Sequence, residues 1–261
     1  MRLGLGPIGL GQLSRSDLLA FAAAATEASF DSLWVAEARG VGAGGALGAA
    51  ALVAQRTPIR IGASVEVGLY HPLYLAEDIA VADIATGGRV EVLLRLPAPG
   101  AAQRYATRMD RITVREHLSV LASALAGAHV TFKGARLRVP AGLDANQPSP
   151  NRLALNPAPA QPVVPVWVEV QDEWTAEVAS RLGFGLAVPW SAGMRKPPEV
   201  GRWPALVLCP DEVPVDRMLE VAGDSAPYFV VAASTPQAAA AAGRRLAGPL
   251  RMPDFPDWVN A

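Results

Sequence analysis

The decapeptide DSLWVAEARG, residues 31–40, reads as an apolar strand that stops at a carboxylate and a guanidinium. Leu33, Trp34 and Val35 fill it, and Glu37, Ala38 and Arg39 stand where it meets solvent. In a β/α barrel the C-terminal ends of the strands carry the chemistry. A carboxyl there can act as a general base if burial raises its pKa, or it can pair with a nearby arginine; both readings are open for Glu37. Arg39 has the type for a fixed cation facing an anionic ligand, or for a solvated rim charge. Other reactive types are sparse. His71, His117 and His129 lack the spacing of metal ligands. Cys209 closes an apolar run with no histidine near it in sequence, which suits a buried, inert thiol. Gly4, Gly6 and Gly9 in GLGPIG match the dinucleotide fingerprint G-x-G-x-x-G. That motif needs a preceding strand and a helix opening within it. Only Met1 to Leu3 precede it, Pro7 interrupts it, and the helical pattern waits until about Ser14. A glycine-rich first strand is the better reading, and NAD(P) binding through the fingerprint is the least favoured function.

These residues need a scaffold, and the pattern supplies one. Short apolar runs of strand length alternate with segments of helical period. The strands read as RLGLGP, SLWVAE, IRIGASVEV, RVEVLLRL, VPVWVEV, FGLAVP, PALVLC and APYFVVAAS. Ser14 with Asp17, and Thr113 with Glu116, have the spacing of capping boxes at the starts of the first and fourth helices. Pro72 suits the first turn of the third helix. HVTFKGARLRV reads as a hairpin inserted before the fifth barrel strand, and residues 140–165 as a proline- and asparagine-rich surface excursion. WSAGMRKPPEVGRW is too broken by proline and glycine for a full sixth helix. Eight strands with about seven helices fit a (β/α)8 TIM barrel, α/β in class, as a single domain over residues 1–261. A doubly wound open sheet alternates in the same way and stays open.

Composition narrows the partners. With 51% apolar and 18% charged residues the chain can bury a sizeable core. A formal charge of −1 argues against nucleic acid or an anionic membrane as the main partner. One cysteine rules out an internal disulfide framework and fits a reducing cytoplasm. No apolar run is long enough to span a bilayer, and the N-terminal run is too interrupted for a signal peptide. We therefore expect a cytoplasmic protein acting on a small-molecule substrate.

At FDSLWVAEA, RIGASVEVGLYHPLYLAEDIAVADIATGGR and VPVWVEVQDEWTAEVASRLGFG the chain resembles the bacterial luciferase-like family, in divergent and shortened form. The resemblance implies a (β/α)8-barrel oxidoreductase of the monooxygenase class that uses reduced FMN or coenzyme F420 at the barrel mouth, and a homodimer. It places a bulge, often with a cis peptide, at Ser64–Val65, so Ala63, Ser64 and Val65 are implied cofactor contacts. Arg95, Glu169 and Asp172 fall on the other cofactor-facing positions, with Glu37 and Arg39 as the catalytic candidates. Departures accompany the match. Ala38 replaces a histidine common in the family, and an alanine cannot shuttle protons. Leu93, Leu94, Arg95 and Leu96 stand where glycines are usual, as do Glu169 and Val170. An acid there repels phosphate unless paired; Arg95 can serve as a phosphate ligand or neutralise Glu91 or Glu169. The alternative is a non-catalytic barrel that has lost the cofactor and binds another ligand or a partner subunit.

Overall fold

A computed structural model describes residues 1–37, 44–97, 109–139, 154–198 and 203–250. Eight parallel strands close into a barrel: β1 (Arg2–Gly9), β2 (Ser32–Ala36), β3 (Arg60–Glu66), β4 (Val90–Arg95), β7 (Val166–Glu169), β8 (Gly185–Pro189), β9 (Leu206–Cys209) and β10 (Tyr228–Val231). The antiparallel hairpin β5 (Phe132–Lys133) and β6 (Arg138–Val139) is inserted between β4 and β7. Closure, with β1 bonded to both β2 and β10, excludes the open-sheet alternative. The glycines of GLGPIG all lie inside β1, and α1 (Arg15–Glu27) starts only after a 3-10 turn at Leu10–Gln12. With no helix opening in the motif, the dinucleotide fingerprint is overturned.

The helices start and stop where local chemistry allows. Ser14 and Asp17 form the expected capping box of α1. After α2 (Gly44–Ala54), α3 (Pro72–Ala85) opens on Pro72 with His71 as its cap, and ends at Gly87 and Gly88, whose φ values are 68° and 74°. The fourth-helix box is corrected. α4 (Arg111–Leu125) is capped by Asp110, whose carboxylate accepts the Thr113 N–H at 2.9 Å. The Glu116 side chain instead reaches out from the helix and accepts the N–H groups of Ala135, Arg136 and Leu137 at 2.6, 2.9 and 2.7 Å. That carboxylate is held below its usual pKa range by those three amides, against the opposing effect of burial. α5 (Glu173–Arg181), α6 (Val215–Ala222) and α7 (Pro236–Leu250) complete the layer, with no helix between β8 and β9 among the described residues.

Alternate strand residues point into the barrel, and the register between strands identifies them. Trp34 pairs with Gly62, Gly62 with Glu91, Leu93 with Trp167, and Trp167 with Gly185. The central layer is aromatic: Trp34, Trp167 and Tyr228 meet edge to face with centroids 5.7–6.0 Å apart. Glycines make room for it, because a Cβ on Gly62 would collide with Trp34, one on Gly4 with Ser32 beside it, and one on Gly185 with the Trp167 ring. Below lies a buried polar layer at the N-terminal strand ends. Glu91 accepts from Arg2 at 2.7 Å, Arg60 at 2.5 Å and the Tyr228 hydroxyl at 2.7 Å. The two guanidiniums and the Tyr228 hydroxyl hold its carboxyl below the ordinary range despite full burial. The expectation that Arg95 neutralises Glu91 is therefore overturned, since the two stand at opposite ends of the barrel. No helix among the described residues is long and apolar enough to cross a membrane.

Candidate active site at the barrel mouth

The C-terminal ends of β2, β3 and β4 bring Glu37, Ser64, Glu66 and Arg95 together. Ala36 lies beside Ser64, and Glu66 beside Arg95. The Glu37 N–H donates to the Ser64 carbonyl at 3.3 Å, and Arg95 Nη2 donates to the Glu37 carbonyl at 2.8 Å. Arg95 thus holds the backbone at the end of β2.

Glu37 is 5% exposed. Its Oε1 accepts the Ala46 N–H in the first turn of α2 at 3.3 Å, while Oε2 is buried with no hydrogen-bond partner among the described residues. Burial pushes its pKa up to about 7, and the repulsion of Glu66 adds to this. The Ala46 and Gly45 amides and Arg95 oppose the rise. A carboxyl half-ionised at neutral pH can both take and give a proton. Ser64 is fully buried on the inward-facing parity of β3, two residues on from Gly62, and its Oγ also lacks a partner.

The remaining candidates separate. Glu169 ends β7 on the inward parity, in register with Ala187. Ala63 and Val65 have the opposite parity and are buried in the core between barrel and helices, so their side chains do not face the mouth; only the backbone could serve there. The pairing of β3 with β4 runs through Ser64 and Val65 without a register shift, that with β2 is regular up to Ser64, and the cis peptides among the described residues are at Gly6–Pro7 and Asn156–Pro157. The expected bulge is therefore overturned; the barrel's irregularity lies in β1, between Leu5 and Ile8. Asp172 is occupied in capping α5: it accepts the Thr175 N–H at 2.8 Å and pairs with Arg111 at 2.7 Å. These contacts, the Thr175 hydroxyl first, hold its pKa down. Ala38 and Arg39 lie outside the described residues. His71 spends Nδ1 on the Leu73 N–H, at 3.4 Å. The buried Cys209 thiol is pushed up to about 12 by desolvation, as an inert thiol should be.

Sequence reading missed Glu66, which is 3% exposed. The signal was available in SVEV: Ser64 and Glu66 are two apart and so share a face. A largely apolar cavity of about 300 Å3 lies outside the mouth, between α4, the start of β7 and the turn before β8. Its lining, including Leu125, Val164, Leu182 and Phe184, has no titratable group.

Residues 5–207 match the family model described as luciferase-like monooxygenase. No curated protein sequence matches significantly. Among solved structures, the monooxygenase RslO1 from Streptomyces bottropensis is similar at 17% identity and a TM-score of 0.67, over 94% of this chain and 97% of that one. The coenzyme F420 dependent tetrahydromethanopterin reductase from Methanopyrus kandleri is similar at 14% identity and 0.67, over 96% and 99%. The oxygenating constituent of 3,6-diketocamphane monooxygenase from the CAM plasmid of Pseudomonas putida, in complex with FMN, follows at 16% identity and 0.56, over 84% and 69%. At such identities these likenesses concern the fold. The family match spans most of the closed barrel, and on it the chain belongs to the luciferase-like monooxygenase family.

Proposed function

We propose that this chain is an oxidoreductase that works with reduced FMN or coenzyme F420 at the C-terminal mouth of its barrel, on a small-molecule substrate. The observation that carries the reading is two polar atoms without partners among the described residues, Ser64 Oγ on β3 and Glu37 Oε2 just past the end of β2, at the end where barrel enzymes act. Buried polar groups are ordinarily paired, so two without partners suit a ligand with a polar edge, as both ring systems have. When bound, the cofactor supplies the electrons or hydride, and the protein supplies binding and orientation. Ser64 would hydrogen-bond the ring, and Glu37 would hold or release a proton at Oε2, since Oε1 is engaged by Ala46. Arg95 acts on position, through the Glu37 carbonyl. The Trp34 and Trp167 layer closes the barrel beneath and keeps water from entering below. Of the positions named from resemblance, Ser64 and Glu37 fit this role best, whereas Asp172 is engaged elsewhere.

Titration with oxidised and reduced FMN and with F420, read as a thermal shift, tests the proposal. A ligand at a hundred times its Kd should add about 2.7 kcal/mol of stability, and no shift with any of them sinks it. A second reading, a barrel that binds a ligand without redox chemistry, is favoured by the alanine at position 38, which cannot shuttle protons. Under it, ligands bind but bound cofactor is never turned over. Cytoplasmic residence and a homodimer complete the proposal, and sedimentation equilibrium checks the latter.

A further inference from the structure

We infer a second ligand site, at the end of the barrel opposite the mouth, that takes a small, flat, uncharged aromatic molecule. It is the cavity of about 300 Å3 between the last turn of α4, the start of β7 and the turn before β8. Every side chain lining it is apolar, and Trp203, just ahead of β9, belongs to its wall. Ala122, Leu125 and Ala126 stand at i, i+3 and i+4, so they share one face at the end of α4. After α4 the chain leaves through the hairpin and returns at Pro162 to Val164, with no helix among the described residues to fill the seam. That detour is the physical source of the cavity.

The walls select the ligand class. The N–H groups of Leu182, Gly183 and Phe184 are held by the carbonyls of Val178, Ser180 and Ala179 at 3.2, 3.1 and 3.0 Å. The Ala126 N–H is held by the Ala122 carbonyl at 3.0 Å, and Pro162 has no N–H to offer. A charged molecule would therefore lose its hydration here without compensation. Interiors hold few voids larger than one water, and this one equals about ten water volumes. A dry apolar cavity of about 150 Å3 holds benzene, so this one has room for two fused rings. Phe184 and Trp203, both buried, give such a ligand ring edges and faces to pack on. Trp203 in turn lies 6.2 Å from Trp167, in the layer that closes the barrel beneath the mouth.

The test uses naphthalene, with naphthoate and naphthylmethylamine as charged probes of the same ring system. Their binding to the intact protein is measured by equilibrium dialysis near neutral pH. Naphthalene should bind once per chain, and both charged probes should bind at least about ten-fold more weakly. Ala122→Phe puts a ring into the cavity and should abolish naphthalene binding. Because it fills a void, the variant should unfold at a temperature no lower than the wild type. Ala126 is exposed at the rim, so Ala126→Phe narrows the entrance without burdening the core, and it should weaken naphthalene as well. Failure of naphthalene to bind, or equal binding of either charged probe, overturns the inference. Binding that survives both substitutions places the molecule elsewhere on the protein and overturns it too.

Discussion

Glu37 shows how far a residue type can be read and where reading stops. A carboxyl at the end of an apolar strand is visible as a candidate base, but its environment comes from Ala46, Glu66 and Arg95, none adjacent in sequence. Its pKa of about 7 makes it a destabilising charge. In the unfolded chain the same carboxyl titrates near 4.5, so between those values the folded state binds more protons. Its contribution is fully present below the unfolded pKa and is lost as pH rises through the folded one. Glu37→Gln should therefore flatten the fall in stability between about pH 4.5 and about pH 7, gaining roughly 2–3 kcal/mol above neutrality. Urea unfolding across that range reads it, and an unchanged slope would refute it. Ser64→Ala should leave stability level or raise it by about 1 kcal/mol, because the lost hydroxyl had no partner. The same measurement, with a marked loss instead, would show a partner for Oγ. That Ala63 and Val65 turn their side chains away from the mouth has a simple physical source: neighbours on a strand face opposite ways, and a resemblance to a stretch does not say which parity faces the ligand.

Among the elements, strand and helix identities were legible from period and capping, as was the lack of a helix between β8 and β9 among the described residues. The errors fell where a side chain had a partner far away in sequence. Thr113 and Glu116 satisfy the capping pattern, yet Asp110 caps α4 and Glu116 bonds the hairpin 19 to 21 residues on. Spacing shows what a carboxylate can reach within its own helix, not what competes for it. Glu116→Gln keeps the shape but loses acceptor strength, so the hairpin amides at 135–137 should exchange with solvent faster while the barrel amides stay protected. Unchanged exchange would mean that the hairpin is held by other contacts. The aromatic layer imposes a second constraint across elements. Gly62 of β3 is a glycine because Trp34 of β2 occupies the space its Cβ would take. Gly62→Ala should cost about 1–3 kcal/mol through overpacking, and Trp34→Leu in the same chain should recover part of it. Full additivity of the two losses would argue against this pairing.

At the scale of the molecule, the barrel separates two kinds of buried charge. The mouth holds Glu37 Oε2 and Ser64 Oγ without partners among the described residues, while the opposite end ties its strands with a hydrogen-bonded network. Glu91 of β4 joins Arg2 of β1, Arg60 of β3 and Tyr228 of β10, so one carboxylate links strands on both sides of the chain closure. Its partners lie 89 and 137 residues away at Arg2 and Tyr228, and no local pattern marks them; this is why sequence reading left Glu91 open as one of two acids that Arg95 could neutralise. The two ends also respond to protons with opposite sign. Glu91 has its pKa lowered, so its contribution exists above about 4.5 and is lost as pH falls through the depressed folded value. Glu37 works against stability as pH climbs toward 7. If these groups dominate, the wild-type protein is most stable on the acid side of neutrality, near about pH 5. Glu91→Gln leaves Arg2 and Arg60 beside a neutral amide and should cost about 3–5 kcal/mol at that optimum. That penalty should shrink as the wild-type protein is acidified, because protonation removes the same charge, whereas Glu37→Gln should move the optimum upward. Chemical unfolding of the three proteins between about pH 3 and about pH 8 checks both limbs. A wild-type optimum at or above neutrality, or a Glu91→Gln penalty independent of pH, would mean that these two carboxyls do not govern the profile.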